Sequence, residues 1–369
     1  MINRVAIDAD RLLNTFLSIL RINSYHPNED PVIRALQPQL DRVGVELTVD
    51  EHRNVLGYWA GIGSLANRES ILLCAHTDTV RPTDGLVPIM RDGAVHSDGS
   101  SVLGADDKAA VAAIVEALEA IADAGIPHPP AEILFTVGED VGHIGSKAFD
   151  ATLVRSRMAF VPDADGPVGG IMLQAPWSQT ARIVFHGRAA HAGMEPETGR
   201  SAIAMAAAAI TQMQLGRIDE ETTANVGQIS GGEASNVVPP RAELVWNARS
   251  LNEEKCERLC ANILECCRQA AAAAEGTISV ERMRSFAGFR FLPNDTIVCR
   301  AESAIKAAGF EPWHAATCGG SDASELNAKG LPTIVLSVGY QKIHTCQESM
   351  PLIELNRLAR VCAALVLGE

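Results

Sequence analysis

Hydrophobic positions spaced three or four residues apart predict two amphipathic helices near the start of the chain, over residues 7–20 and 30–43. Short runs that alternate with polar residues or are apolar throughout predict strands over residues 45–49, 54–60, 71–75, 131–137 and 158–161. A longer helix is predicted from residue 103 to residue 124, because Gly125 and Pro127 end the pattern there. Strands that alternate with helices in this way indicate an α/β fold with a buried sheet.

The pattern changes near Pro176 and predicts a smaller, second domain. Strands and helices follow in the order βαββαβ, over residues 178–186, 200–215, 222–229, 237–247, 253–274 and 277–284. This order is typical of a small α+β domain. The earlier pattern then returns with a helix, a strand and a last helix, listed as residues 295–308, 333–336 and 352–367. We therefore expect a main domain formed by residues 1–176 and 286–369, with residues 177–285 inserted into it.

Composition and charge exclude two classes of partner. Of the 369 residues, 47% are hydrophobic and 21% are charged, and the formal net charge is −14. Such an acidic chain offers no basic stripe to a phosphate backbone, so no nucleic-acid partner is expected. Its apolar runs are shorter than the roughly eighteen residues that a membrane-spanning helix needs, so no membrane partner is expected.

The start of the chain and the cysteines favour a cytoplasmic location. The first residues, from Met1 to Arg4, lead into an amphipathic segment and not into the apolar core of a signal peptide. The chain contains nine cysteines, an odd number, and none of them forms a Cys-x-x-Cys pair. These features are typical of reduced thiols in a cytosolic protein.

Acidic or imidazole side chains follow three of the apolar strands. They are, in chain order, His76 and Asp78, then Glu139 and Asp140, and then Asp163. The first pair alone would also suit a strand cap and a turn. Open α/β sheets, however, place their ligands at the carboxyl ends of the strands. The repetition at three strands therefore predicts a metal site at this edge of the sheet.

A site for two neighbouring metal ions needs a bridging ligand and a free carboxylate that acts as a base. Asp106, at the start of the predicted helix, could bridge the two ions. Glu139 could be the base, because one of two adjacent carboxylates can bind metal while the other faces the substrate. The residues themselves thus supply a complete set of candidates.

These candidates lie in motifs that resemble those of the co-catalytic zinc exopeptidases, the family that includes peptidase T, carboxypeptidase G and succinyl-diaminopimelate desuccinylase. The motifs match in order and spacing, and they are His76-Thr77-Asp78-Thr79-Val80, Leu103-Gly104-Ala105-Asp106-Asp107-Lys108, Gly138-Glu139-Asp140, Pro162-Asp163, His191-Ala192-Gly193 and Ile343-His344-Thr345. The likeness is greatest to the peptidase T-like branch. It implies a mixed sheet flanked by helices as the catalytic domain, and residues 177–285 as an inserted α+β, ferredoxin-like lid and dimerisation domain.

The resemblance implies two Zn²⁺ ions per subunit, with Co²⁺ or Mn²⁺ as alternatives. It implies His76 and Asp163 as the terminal ligands of one ion. It implies Asp140 and His344 as the terminal ligands of the other ion, with Asp106 as the bridge. The peptide bond that follows the bridging residue is implied to be cis.

Two positions leave questions about this ligand set. Asp140 stands where the family commonly has Glu, so the ligand arm is one methylene shorter. Asp163 and Asp165 both lie near the expected ligand position, and Asp163 is preferred because it lies closest to its strand end.

The resemblance also implies which residues act on the substrate. Glu139 matches the family's general base, and Asp78 matches the carboxylate that orients the ligand His76. His191, in the inserted domain, matches a histidine that reaches the site of a neighbouring subunit and stabilises the oxyanion.

Three further residues are implied to hold the substrate. Asn236 and Arg249 match lid residues that bind polar groups, and the guanidinium fork suits a substrate carboxylate. A surface salt bridge is the alternative role for Arg249. Gly320 lies in a Gly-rich stretch that resembles the family's substrate loop. The remaining histidines match no motif position and are left without a role: His26, His52, His96, His128, His143, His186 and His314.

The most specific function that the resemblance implies is an aminopeptidase that hydrolyses tripeptides with a zinc-activated water and Glu139 as the general base. Short peptides are the expected substrates, and a homodimer through the lid domain is the expected assembly. An N-acyl amino acid amidohydrolase or a carboxypeptidase with the same site is the alternative. A non-catalytic metal-binding scaffold is the alternative of another class.

Overall fold

In a computed structural model of the chain, which describes residues 1–369 apart from the side chain of residue 284, the apolar runs form the strands of three sheets. The strands are β1 (Val45–Val49), β2 (Val55–Trp59), β3 (Ile71–His76), β4 (Ile89–Arg91), β5 (Ala94–His96), β6 (Ala131–Thr136), β7 (Ala159–Ala164), β8 (Gly170–Ala175), β9 (Trp177–His186), β10 (Gly216–Arg217), β11 (Thr222–Gly231), β12 (Arg241–Ser250), β13 (Thr277–Phe286), β14 (Phe289–Arg290), β15 (Trp313–Ala316), β16 (Thr333–Ser337) and β17 (Ser349–Pro351). The α-helices are α1 (Ala9–Leu20), α2 (Asp30–Val43), α3 (Ala105–Ala124), α4 (Ile144–Ala148), α5 (Ala202–Gln212), α6 (Glu253–Ala273), α7 (Thr296–Ala307), α8 (Asp322–Ala328) and α9 (Leu352–Leu367).

The largest sheet is mixed, with parallel strands in its middle. Its strands lie in the order β1-β2-β6-β3-β7-β16-β8, and β15 pairs with β8. The neighbours β6, β3, β7 and β16 are parallel, whereas β2 pairs antiparallel with β1 and β6, and β16 pairs antiparallel with β8. The carboxyl ends of the parallel strands therefore meet at one edge of the sheet.

Helices cover both faces of this sheet. Leu73 and Ala75 of β3 join the main hydrophobic core together with residues of α1, α2, α3, α7 and α9. On the opposite face, the side chains of Cys74 and Thr136 contact Asp322, at the start of α8. The prediction of an α/β fold with a mixed sheet flanked by helices is confirmed.

Helix α3 runs through the core and is buried from Ala105 to Ile121. Most of these residues are small, so α1, α9 and β3 can pack closely around the helix. The backbone of Asp106 and Asp107 is not helical, and the peptide bond between them is cis, as the resemblance implied. The segment that carries Asp106 is thus held inside the protein by the best-packed helix of the main core.

The second hydrophobic core lies under an antiparallel sheet with the strand order β10-β11-β12-β9-β13. Helices α5 and α6 pack on this sheet around Ile183, Phe185, Leu244 and Trp246. This is the predicted α+β arrangement, with the short strand β10 added to it.

The chain consists of two compact units. The first consists of residues 1–174, 291–317 and 321–369, and the second of residues 175–290 and 318–320. The main boundaries lie after residues 174 and 290, whereas the sequence pattern predicted them after residues 176 and 285. The short segment 318–320 belongs to the second unit, although the residues before and after it in the chain belong to the first.

Three differences from the sequence-based expectation concern β12, β7 and the segment 81–102. Strand β12 covers 241–250 and not 237–247, since Pro239 and Pro240 cannot donate hydrogen bonds to a neighbouring strand. Strand β7 continues to Ala164, so Asp163 lies inside a strand and not after it. The segment 81–102, where no strand was predicted, contains β4 and β5, which pair with each other, and β5 also pairs with β17. Among the helices that the structure describes, none has the length and apolarity to span a bilayer.

Candidate metal centre

His76, the last residue of β3, lies at the centre of one group of possible ligands. Its Nε2 lies 3.1 Å from Oδ1 of Asp106 and 3.9 Å from Oδ1 of Asp163. The imidazole is only 2% exposed. Asp163 comes from the neighbouring strand β7, and its Oδ1 accepts a hydrogen bond of 3.2 Å from the Tyr340 hydroxyl. Adjacent parallel strands thus bring these side chains together.

His344 forms a second group on the other side of Asp106. Its Nε2 lies 3.1 Å from Oδ2 of Asp106 and 3.3 Å from Oδ1 of Asp140. The imidazole is half exposed, and the residue has a positive φ of 63°. The two oxygens of Asp106 therefore face two different histidines, which is the arrangement that a bridging carboxylate needs.

Glu348 supports Asp106 from behind, and sequence reasoning missed it. Its buried carboxylate accepts hydrogen bonds from the backbone N–H groups of Gly104 and Asp106 at 3.0 and 3.1 Å. The only signal in the sequence is that an acidic residue stands four positions after His344. Single glutamates are common on protein surfaces, so this signal is too weak to predict such a role.

The carboxylate of Asp78 lies between the His76 ring and the backbone of Glu139 and Asp140. Its two oxygens accept the backbone N–H groups of Glu139 and Asp140 at 2.9 and 3.2 Å, and its Oδ1 lies 3.3 Å from Nδ1 of His76. An alternative cation site of His76, Asp78 and Asp140 is close enough in space. The backbone N–H groups, however, already occupy the oxygens of Asp78, so this geometry favours an orienting role for Asp78.

Glu139 is buried beside a histidine that the sequence did not single out. Its Oε1 lies 3.0 Å from Nε2 of His143, and Nδ1 of His143 lies 3.5 Å from Oε1 of Glu325. All three side chains are buried. No motif position marks His143, and its partner Glu325 is far away in the chain, so only the fold could reveal this contact.

The crowded carboxylates shift the pKa values of the site. Burial raises the pKa of the Asp163 carboxyl well above its usual range, and Asp106 adds to this effect. Asp106 and Asp140 raise the pKa of His344 to about 10. Burial disfavours a charged His76, yet its hydrogen bonds with Asp106 and Asp78 hold its pKa well above the ordinary value. The raised pKa values of these groups indicate that several carboxylates lie close together. A bound cation would reduce the repulsion between them.

The donor set fits a metal cofactor. Imidazole nitrogens and carboxylate oxygens are the ligands that zinc and related divalent ions accept. Oδ2 of Asp140 is buried and has no hydrogen-bond partner among the described residues, and a cation beside it would satisfy that oxygen. Asp165 is exposed and lines an open cavity of about 620 Å³ together with Tyr340 and Lys342. Its position is less suited to a buried ligand than that of Asp163.

Four of the predicted site residues belong to the second unit and not to the unit with the metal ligands. His191 is exposed, and its Nδ1 accepts the backbone N–H groups of Gly193 and Met194, both at 3.2 Å. Asn236 is exposed too, and its backbone carbonyl oxygen accepts a hydrogen bond from the backbone N–H of Ala192 at 2.9 Å. The structure thus brings His191 and Asn236 into one loop cluster.

Arg249 and Gly320 form another cluster in the second unit. Nη1 of Arg249 donates to the carbonyl oxygen of Cys318 at 2.8 Å, and Nε donates to Oδ1 of Asn247 at 3.0 Å. A Cβ atom on Gly320 would come within 2.7 Å of the Phe286 ring. Close packing against Phe286 is therefore one physical reason for glycine at this position. The hydrogen bond to Cys318 connects the Arg249 guanidinium to the 318–320 segment.

Comparisons with known proteins identify relatives along the whole chain. Residues 178–275 match the family described as peptidase dimerisation domain, and residues 54–209 match peptidase family M28. The uncharacterised protein YqjE of Bacillus subtilis is 37% identical over 98% of this chain and 98% of its own length.

Two solved structures combine high similarity in fold with recognisable similarity in sequence. Aminopeptidase PepT from Bacillus cereus has a TM-score of 0.91 and 35% identity, over 98% of this chain and 99% of that one. A tripeptidase from Staphylococcus aureus has a TM-score of 0.92 and 34% identity, over 98% of both chains. Identity of this degree over nearly full length establishes common descent and not only a shared fold. The chain therefore belongs to the peptidase T-like branch of the dinuclear zinc exopeptidase family, and it is a peptidase.

Proposed function

We propose that this protein is a two-zinc aminopeptidase that removes the N-terminal residue from short peptides, with tripeptides as the preferred substrates. The observation that carries the proposal is the position of Asp106, whose two oxygens each lie 3.1 Å from a different histidine. Each of these histidines also lies near one further carboxylate, Asp163 at 3.9 Å from His76 and Asp140 at 3.3 Å from His344. The names of the two solved relatives, an aminopeptidase and a tripeptidase, support the choice of substrate.

His76 and Asp163 would hold one ion, His344 and Asp140 the other, and Asp106 would bridge them. Zinc suits this mixture of nitrogen and oxygen ligands, and Co²⁺ or Mn²⁺ are alternatives. When bound, the ions supply Lewis-acid chemistry that polarises the scissile carbonyl and acidifies water.

Glu139 is the general base of the proposed reaction. Burial raises the pKa of its carboxyl, and the hydrogen bond from His143 lowers it in part. A carboxylate in this environment can take a proton from the attacking water and return it to the leaving amine. Asp78 fixes the base, because it accepts the backbone N–H of Glu139.

His191 stabilises the oxyanion in this proposal. Because Nδ1 of His191 accepts two backbone hydrogen bonds, the neutral ring carries its proton on Nε2. That N–H is the donor that a developing oxyanion requires. Asn236, Arg249 and Gly320 would bind the peptide, and Arg249 suits a terminal carboxylate.

The protein is further proposed to act as a cytoplasmic homodimer that joins through the second unit. The match of residues 178–275 to a peptidase dimerisation domain supports the dimer. Among the described residues, all nine cysteines are free thiols, which supports a reducing compartment. Light scattering on the purified protein gives the assembly state, and deletion of the second unit is expected to leave a monomer.

Substrate profiling of the zinc-loaded protein tests the function. We expect faster hydrolysis of tripeptides with a free N-terminus than of dipeptides, N-acetyl amino acids or N-blocked tripeptides. Preference for N-acetyl amino acids or for C-terminal cleavage would replace the aminopeptidase by the amidohydrolase or carboxypeptidase alternative. Metal bound without turnover of any of these substrates would favour a scaffold.

Three variants test the site. Glu139→Gln is expected to bind metal and to lose at least about a thousand-fold in kcat, because the proton acceptor is gone. Asp163→Asn is expected to lose metal and activity, and the exposed Asp165→Asn is its matched control. Loss of metal from Asp165→Asn and not from Asp163→Asn would show that Asp165, and not Asp163, is the metal ligand.

A further inference from the structure

We propose that His143, supported by Glu325, is a positioning residue that holds the carboxylate of Glu139 in the orientation for proton transfer. This inference rests on the proposed role of Glu139 as the general base. It adds a residue pair to the site that lies outside the motifs described above.

The backbone brings His143 back onto Glu139. The N–H groups of Gly142 and His143 both donate to the carbonyl oxygen of Glu139, at 2.9 and 2.8 Å. His143 then takes a positive φ of 56° immediately before α4 begins. This tight turn returns the imidazole over the carboxylate, and its Nε2 lies 3.0 Å from Oε1 of Glu139.

Glu325 fixes the other side of the ring. It lies on α8, which packs against α4, and its Oε1 lies 3.5 Å from Nδ1 of His143. A carboxylate at Nδ1 keeps a proton on that nitrogen and sets the orientation of the ring, as in other base–orienter pairs. The imidazole is only 2% exposed, so water does not compete for its two nitrogens.

The charges around His143 suit this role. Burial opposes protonation of the ring, yet Glu139 and Glu325 raise its pKa to about 9. A protonated His143 carries a proton on both nitrogens, and each nitrogen faces one carboxylate. Such a donor fixes one oxygen of Glu139 and leaves the other oxygen available to accept a proton from water.

Kinetics of zinc-loaded His143 and Glu325 variants on a tripeptide test the pairing. His143→Leu is expected to lower kcat by about 10- to 100-fold, as for a lost hydrogen bond to a charged group, with KM within about twofold and metal content unchanged. His143→Gln keeps a side-chain donor and is expected to regain a part of that loss. Glu325→Gln is expected to lower kcat about threefold in the wild-type background and to have no effect when His143 is already Leu.

His128→Leu is the matched control. His128 is as buried as His143, but its ring stacks on Trp59 at 3.8 Å, beside the amino end of β6 and away from the carboxyl-end site. Its replacement is expected to lower Tm and to leave kcat unchanged. The control thus separates loss of a buried ring from loss of a contact with Glu139.

The outcomes are distinguishable. If His143→Leu keeps kcat within twofold of the wild type while Glu139→Gln is inactive, the positioning role is wrong and the proposed function stands. If the kcat losses of His143→Leu and Glu325→Gln multiply in the double variant, the two residues do not act as a pair. If His143→Leu does not fold, the same comparisons are made with His143→Gln and Glu325→Gln. Near-normal turnover by Glu139→Gln would overturn both proposals.

Discussion

At the scale of single residues, the site is built from carboxylates that act in different ways because their neighbours differ. Asp106 lies between two histidines, Asp78 accepts two backbone N–H groups, and Glu139 is paired with His143. The amino-acid type alone does not distinguish these roles. The motifs predicted which residues would take part, whereas the hydrogen-bond partners support the role proposed for each.

Glu348 provides a test of how the backbone around Asp106 is held. The variant Glu348→Gln keeps the size of the side chain but replaces one acceptor oxygen by an NH₂ donor that faces backbone N–H groups. We expect metal affinity to fall about 10- to 100-fold, as is typical when a group that supports a ligand is lost. Metal titration of the apo-protein measures this. An unchanged affinity would show that packing of α3 alone holds Asp106.

His143 predicts a pH dependence of stability. Its folded-state pKa of about 9 lies above the ordinary value of 6.5. Its stabilising effect is therefore complete below about pH 6.5 and disappears as the pH rises through 9. At about 1.4 kcal/mol per pKa unit, the effect is at most about 3–4 kcal/mol.

Thermal unfolding at pH 6.5 and pH 9.5 measures this effect. The drop in Tm between the two values is expected to be larger for the wild-type protein than for His143→Leu, because only the wild type loses the imidazolium. Equal drops in both proteins would mean that His143 is neutral throughout this range.

At the scale of elements, periodicity predicted the regular helices and the buried strands well. α2 and α9 begin and end at the predicted residues, and β1 has the predicted bounds. The short strands β4, β5 and β17 were not predicted, because each spans three residues and is stabilised by its partners and not by its own pattern. Short elements of this kind exist only in the tertiary context.

The ends of α3 offer a matched pair of glycines for a test. Gly104 and Gly125 both have positive φ, at 75° and 58°. A Cβ on Gly104 would lie 2.9 Å from Cγ2 of Thr79, whereas one on Gly125 meets nothing within 4 Å. Gly125→Ala is expected to cost about 1 kcal/mol from backbone strain.

Gly104→Ala is expected to cost more, about 2–3 kcal/mol, because the close contact adds to the strain. It is also expected to weaken metal binding, since Gly104 lies two residues before Asp106. Denaturant unfolding and metal titration of both variants provide the comparison. Equal effects of the two substitutions would contradict the role of the Thr79 contact.

At the scale of the whole molecule, the metal centre is expected to contribute to the stability of the first unit. Its proposed ligands come from β3, the start of α3, β7 and two loops that are far apart in the sequence, so bound ions would join these segments in the folded state. Ions that bind the folded but not the unfolded chain raise the free energy of unfolding by mass action.

Removal of the metal by a chelator is therefore expected to abolish turnover and to lower Tm by several degrees. Addition of zinc should restore both, and the Asp106→Asn variant should respond much less to either treatment. Calorimetry with and without chelator measures the shift. A Tm that does not respond to chelation in the wild type would contradict a contribution of the metal to folding.

The sequence by itself determined the fold class, the ligand candidates and the family, because helix and strand periodicity and closely spaced motifs are local properties of the chain. Only the tertiary structure decided the contacts between distant residues: the pairing of Glu139 with His143 and Glu325, and the hold of Glu348 on the backbone of Asp106. The physical reason is that these contacts depend on which loops the parallel strands bring to one edge of the sheet. No local pattern records that arrangement.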